Sequence, residues 1–154
     1  MSTDVATESV VESGSRQLVV FSLGPEEYGV PIKLVQEIIR YTDPRPIPGS
    51  SPHVEGVINL RGRIIPVVNL RQRFMAAGDR PDEAKIVIVE LPGYTVGIIV
   101  DEVREVLTVD GESCEPPPES SGQVDYIDAV AKLEGRLLVI LDMETLFGDE
   151  MSGY

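Results

Sequence analysis

The segment Leu18–Ile39 (LVVFSLGPEEYGVPIKLVQEII) lies without gaps over Ile86–Leu107 (IVIVELPGYTVGIIVDEVREVL), with identity at Val19/Val87, Leu23/Leu91, Gly29/Gly97, Val35/Val103 and Glu37/Glu105. A second ungapped match follows in the same order. It sets His53–Phe74 (HVEGVINLRGRIIPVVNLRQRF) against Tyr126–Phe147 (YIDAVAKLEGRLLVILDMETLF) and keeps Val57/Val130, Leu60/Leu133, Gly62/Gly135, Arg63/Arg136 and Phe74/Phe147. Valine-rich strands resemble one another by chance, so one match would say little. Two in the same order describe a duplication, and a duplication confines a chain of 154 residues to two small related units. Neither unit of about 65 residues holds much core alone, so a shared apolar interface is expected between them.

From Arg16 onward the chain is a series of short Val- and Ile-rich runs (QLVVFSL, GRIIPVV, AKIVIVEL, YTVGIIV, GRLLVIL) separated by Gly, Pro or acidic clusters, which is all-β spacing. Each half reads as strand, tight turn, strand, short helical turn, strand, loop, and a Leu-x-Gly-Arg hairpin leading into an apolar strand. Gly62 and Gly135 suit those hairpins because glycine takes positive φ at little cost. Asn69 and Asp142 sit where a helix N-cap belongs, with Gly78 and Gly148 just beyond, so each half is expected to close with a helix of one to two turns. Five short strands per half leave unsafe edges in an open sheet, and closure into a small barrel removes them. The expected fold is therefore all-β with short helices: two five-stranded barrels packed on a shared apolar core. Pro66 places its strand at an edge or a bulge. The expected domain runs 16–148, with a first half of about 17–80 and a second of about 84–148. Residues 1–15 are read as a disordered acidic tail and 149–154 as a C-terminal tail.

The formal charge of −13 would repel nucleic-acid phosphates and anionic membrane surfaces. Three segments without Lys or Arg carry it: residues 1–15 (−3), 110–128 (−6) and 142–154 (−4). With a single cysteine, Cys114, neither an internal disulfide nor a thiolate zinc cage is available, and no signal peptide or membrane-spanning run is read. A reducing, cytoplasmic setting is expected.

Enzyme readings lack parts. His53 is the sole histidine, lies in a Pro-Gly-Ser loop and has Tyr126 as its repeat counterpart, which favours loop packing over catalysis. Cys114 sits among carboxylates, which disfavour a reactive thiolate. Asp101 and Glu102 are adjacent carboxylates whose counterparts are Lys33 and Leu34; a small carboxylate-dependent enzyme is the remote alternative. No phosphate-cradling glycine motif occurs, and no cofactor or metal is expected. The distinctive segment is Gly56–Gly78 (GVINLRGRIIPVVNLRQRFMAAG), with Arg61, Arg63, Arg71 and Arg73 and no acid. The second half replaces Arg61 by Glu134, Arg71 by Glu144 and Arg73 by Leu146, but keeps Arg63 as Arg136. A residue kept in both copies points to structure and one changed in a single copy to a specific surface, which ranks Arg61 above Arg63 as a contact. Planar arginine beside Val57, Ile58 and Leu60 is the mix that protein interfaces use, although such a run also serves simply to solvate a hairpin.

At GVINLRGRIIPVVNLRQRF, preceded by EEYGVPIKLVQEIIR and followed by VGIIVDEV, the sequence resembles the CheW family of bacterial chemotaxis coupling proteins, from about Gln17 to Phe147. The same fold forms the regulatory domain of the kinase CheA and half of the adaptor CheV; a chain this short favours the stand-alone adaptor. The resemblance implies two SH3-like five-stranded barrels and a non-enzymatic scaffold that links the cytoplasmic hairpin of methyl-accepting chemoreceptors to the regulatory domain of CheA. It implies a cytoplasmic protein recruited to membrane-associated receptor arrays without inserting in the membrane. Carried over by position, the receptor-binding residues are Val35, Ile38, Gly56, Asn59, Leu60, Arg61 and Gly62, with Val106 from the second half. Glu37 shares that stretch, but its recurrence as Glu105 points to structure. Kinase contacts are expected at exposed barrel ends, with no residue assigned. The loop Glu115–Gly122 matches the family only loosely. A CheW-like adaptor of another receptor-kinase system, such as twitching motility, is the alternative.

Overall fold

The computed structural model describes residues 15–50, 53–71, 73–74, 76, 78–117 and 126–150, with the backbone alone at 148–150. The parts assigned to the tails at 1–14 and 151–154, and most of the 115–122 loop, lie outside the described residues.

Eleven strands are described: β1 (Arg16–Leu23), β2 (Glu26–Pro31), β3 (Val35–Arg40), β4 (Val54–Leu60), β5 (Arg63–Asn69), β6 (Lys85–Leu91), β7 (Tyr94–Val100), β8 (Glu102–Val109), β9 (Cys114–Glu115), β10 (Ile127–Leu133) and β11 (Arg136–Leu141). One helix, α1 (Met143–Glu150), follows. A 3-10 turn at Ile32–Leu34 joins β2 to β3; the equivalent step from β7 to β8 is the single residue Asp101, and a 3-10 turn at Gly111–Ser113 leads into β9.

The strands form two sheets that each wrap around an apolar cluster, in the orders β8-β1-β2-β11-β10-β9 and β3-β6-β7-β5-β4. Replacing each strand of the second by its repeat counterpart reproduces β8-β1-β2-β11-β10, so the two sheets are built alike. The barrels nevertheless do not coincide with the sequence halves, as five strands closing on themselves would. Hairpin β1–β2 of the first half sits in the second half's sheet, and hairpin β6–β7 sits in the first half's sheet. The exchange is reciprocal, with parallel contacts at Gly29↔Ile140 and Gly97↔Val67 in equivalent register.

This exchange explains the unbroken apolar runs. Alternate residues of β1 and β6 point to opposite faces. Leu18 and Val20 fill one barrel and Ile86 and Ile88 the other, while Val19, Phe21, Val87 and Val89 enter a third cluster between the barrels. That third cluster also takes Val54, Val68, Leu70, Ile98, Leu141 and Phe147. The shared interface expected from the small size of each half is thus the largest core. Tyr28, on its border, stacks in a row with Phe21, Phe74 and Tyr126; burial, with nearby Glu26 and Tyr126, pushes its phenol up to about 12.

The kept pair Gly29/Gly97 sits at close approaches, tighter at Gly97 than at Gly29. A Cβ at Gly97 would lie 2.8 Å from Ile86 Cγ2, and one at Gly29 would lie 3.2 Å from Leu18 Cδ1, the equivalent neighbour.

Two local expectations change and a third holds. Pro66 is on an interior strand, not an edge, and the β4–β5 ladder shifts register just beyond it, between Val54 and Gly56 opposite Val68 and Val67, so of the two readings the bulge is the nearer. Pro66 faces Val57, whose N–H and C=O both bond to Arg45, and pairing with β7 begins only at Val67, so no ladder bond needs a donor at Pro66. Asp142 does cap α1, accepting from the Thr145 N–H and hydroxyl, but the helix runs through Gly148 to Glu150. After β5, Phe74 N–H bonds the Leu70 carbonyl and Asn69 Oδ1 accepts from Arg71 N–H, in keeping with the cap expected at Asn69; residues 72, 75 and 77 lie outside the described residues.

Candidate functional site at the β3 edge and the Arg61 hairpin

Leu60 and Arg63 face each other across a two-residue turn in which Arg61 has φ 53° and Gly62 φ 89°. Positive φ at both central residues is the I′ geometry that matches strand twist. Arg61 is the one non-glycine residue with positive φ among the described residues. The counterpart turn needs it only at Gly135 (φ 77°), so the two Leu-x-Gly-Arg hairpins differ in shape as well as charge. Asn59 Oδ1 accepts from Gly62 N–H at 2.9 Å and braces the turn from within.

The hairpin meets β3, the edge strand on the other side of the barrel. The exposed Arg61 guanidinium donates to the Glu37 carboxylate, and Arg63 bonds Thr95 Oγ1 at 2.9 Å and Gln36 Oε1 at 3.5 Å. In the second barrel the kept pair meets directly: Arg136 donates to Glu105 and lies 3.2 Å from Glu27. Thr95 stands where the second barrel has Glu27. Deprived of that carboxylate, Arg63 takes neutral partners and leaves Glu37 to Arg61. Glu37 and Glu105 therefore share the task of closing a barrel mouth.

The residues of the implied receptor site divide by role. Ile38 pairs with Val87 and Val106 with Val19. Cross-strand partners share a face, and Val87 and Val19 belong to the cluster between the barrels. Ile38 and Val106 are thus repeat equivalents on the edge strands β3 and β8, on the inter-barrel side, yet 40% and 57% exposed. Val35 is half-buried against the shared cluster. Gly56 is buried, and the place a Cβ would take is filled by the Arg45 carbonyl. Leu60 packs into the barrel interior. Gly56, Asn59, Leu60 and Gly62 shape the hairpin, whereas Ile38, Arg61 and Val106 are exposed and Val35 is half-buried.

The four arginines of Gly56–Gly78 do not form one basic patch. Arg71 is buried: it ion-pairs with Asp101, and its Nε donates to the Gly78 carbonyl at 3.0 Å. Arg73 donates to the Leu146 carbonyl at 3.3 Å and lies over the Tyr126 ring. Arg71 and Asp101 carried a joint signal in the sequence, since the other half reverses both signs, as Glu144 and Lys33.

Asp101 and Glu102 border a polar cavity of about 790 Å³ shared with Ser22, Gly24, Glu27 and Lys85. Asp101 is committed to Arg71 and to the Gly24 N–H at 2.8 Å, and Glu102 to Arg104 at 3.1 Å. Among the described residues no cluster of His, Cys, Asp and Glu could hold a metal ion, and no helix is long and apolar enough to cross a membrane. His53 accepts Asn69 N–H on its carbonyl, as Tyr126 accepts Asp142 N–H, and Cys114 is half-buried at the edge of its barrel core.

The twin barrels thus present a paired apolar margin and, beside it, a braced arginine. Residues 17–151 match the family model described as a CheW-like domain. The chain is 37% identical over 142 residues to the chemotaxis protein CheW of Klebsiella aerogenes (90% of this chain, 86% of the relative). It is 38% identical over 141 residues to that of Treponema pallidum (87% and 83%). The crystal structure of the scaffolding protein TtCheW from Thermoanaerobacter tengcongensis superposes with a TM-score of 0.81 at 38% identity, covering 88% of this chain and 97% of that one. The chain belongs to the CheW-like family, and it is a chemotaxis coupling adaptor between receptors and the kinase CheA.

Proposed function

We propose that the receptor's cytoplasmic helical hairpin docks in the groove between the barrels, against Val35 and Ile38 of β3 and Val106 of β8, with Arg61 at its rim. The observation that carries this reading is the placement of Ile38 and Val106 at equivalent positions, both exposed and both beside buried residues of the shared core. A helix face can cover such a margin, and a rim charge fixes its orientation. Residues 16–148 act as one unit, because each barrel holds strands of both halves. The regulatory domain of CheA engages a separate barrel end, so that two weak contacts become a high local concentration of kinase at the receptor. The adaptor works in the cytoplasm, is recruited to membrane-associated receptor arrays through the receptor, and makes or breaks no bond.

The test is pull-down by a chemoreceptor cytoplasmic fragment. Arg61→Glu is expected to lose about 2 kcal/mol of binding, roughly thirtyfold. Glu134→Arg, on the counterpart turn, is expected to bind as the parent does. Equal binding by all three proteins would refute the groove.

A further inference from the structure

The two halves of the chain, β1–β5 and β6–β11, are held together by four ladders: β1 with β8, β2 with β11, β3 with β6 and β5 with β7. Ion pairs cross the same boundary, from Arg16 to Asp128, Arg71 to Asp101, and Glu27 to both Arg104 and Arg136. Every hairpin, by contrast, lies within one half. The covalent link between the halves is the chain from Asn69 to Lys85. Its ends are anchored: Leu70 and Arg71 are buried, Phe74 and Ala76 pack on the shared core, and Ala84 is buried. Between the anchored ends lies Gly78–Glu83 (GDRPDE), a polar surface stretch held by Arg71 Nε on the Gly78 carbonyl, by Arg80 over Tyr41 and 4.0 Å from Asp43, and by a turn from Ala84 N–H to the Pro81 carbonyl.

We propose that two copies of this chain can exchange halves, forming a dimer in which each double barrel takes β1–β5 from one copy and β6–β11 from the other. Every inter-half ladder and ion pair is then remade with the partner. Only the turn at Pro81–Ala84 opens, and exchange of an identical element is a low-cost route to a dimer. The balance is set by the local concentration of one half at the other through the linker, about millimolar for a short flexible connection. The monomer dominates below that range, and local crowding or a stiffened linker favours exchange. Each exchanged double barrel retains Val35, Ile38 and Arg61 from one copy and Val106 from the other. The dimer would be a two-headed adaptor, a consequence that rests on the proposed groove; the exchange itself does not.

Full-length charge variants read the exchange in trans. Glu27→Lys places a cation against Arg104 and Arg136. The double variant Arg104→Glu/Arg136→Glu places carboxylates against Glu27. In a monomer of either variant the charges clash, whereas a heterodimer with exchanged halves matches them in both double barrels. After the two variants are unfolded and refolded together, a species of twice the 16.8 kDa chain mass containing both is expected, at least tenfold above the dimer from either alone. The parent chain, refolded as a mixture of isotope-labelled and unlabelled copies at millimolar concentration, is expected to give mixed-mass dimers. Variant mixtures that yield no mixed dimer, whether they remain monomers or fail to fold, would overturn the proposal, as would a parent chain that stays monomeric throughout.

Discussion

Gly29 and Gly97 occupy equivalent places in the two barrels, yet alanine is expected to affect them differently. At Gly97 the added Cβ would meet Ile86 Cγ2 at 2.8 Å. That methyl is fixed to the Cβ of a β-branched side chain and cannot swing away without moving β6, two of whose faces are buried. At Gly29 the contact is Leu18 Cδ1 at 3.2 Å, the far end of a side chain that yields by a small rotation. Overpacking in a tight core costs about 1–3 kcal/mol, against a gain of about 0.5–1 kcal/mol for replacing glycine within a strand. Gly97→Ala should lose about 1–2 kcal/mol, and Gly29→Ala should stay within about 0.5 kcal/mol of the parent. In urea melts with a slope of about 1–3 kcal/mol/M, the Gly97→Ala midpoint should fall by several tenths of a molar unit or more. Ile86→Leu removes the branched methyl, so the double variant Gly97→Ala/Ile86→Leu should cost less than the sum of the singles. Gly97→Ala melting with the parent, or the two glycines responding alike, would refute the packing account of the kept pair.

Other expectations follow from buried polar groups. Tyr28 holds its proton to about pH 12 when folded and releases it near 10 when unfolded. Its contribution is complete below pH 10 and lost as pH rises from 10 to 12, about 2–3 kcal/mol in all. Tyr28→Phe should flatten the alkaline fall in stability measured by denaturant titration; an unchanged slope would count against burial as the cause. Asp101→Asn leaves the Arg71 guanidinium in a largely enclosed site without its carboxylate, and a loss of about 3 kcal/mol is expected. Near-neutral behaviour in chemical melts would show that the pair is not a strut.

Much of this was legible in the chain. Repeated apolar runs and hairpin glycines carried the all-β class, the duplication and the shared core, since strand alternation and positive-φ turns are local properties. The exchange of hairpins was not, because β1 reads the same whether it pairs within its half or with β8, and only the three-dimensional closure decides. Pro66 left edge and bulge open: the strand is interior, its ladder with β4 shifts register just beyond the proline, and the missing donor is harmless where the ladder with β7 starts one residue later, a register fact that no composition reveals. The arginine run likewise looked like one surface, yet Arg71 and Arg73 are held by Asp101, Gly78 and Leu146 from distant parts of the chain. The joint sign reversal at Glu144 and Lys33 was the available clue to the buried pair. Arg61 stood out by its change to Glu134, and its left-handed backbone adds a conformational reason for treating that turn as special.

The central functional claim is that one groove draws on both barrels. Titration of a chemoreceptor cytoplasmic fragment against Ile38→Asp, Val106→Asp and, as a control at an exposed apolar residue outside the proposed contact set, Leu137→Asp tests it most directly. A charge placed on either side of the groove should raise Kd about tenfold or more, equivalent to at least about 1.4 kcal/mol, with Leu137→Asp binding as the parent does. Parental Kd values for Ile38→Asp and Val106→Asp, with both proteins folded, would contradict the claim.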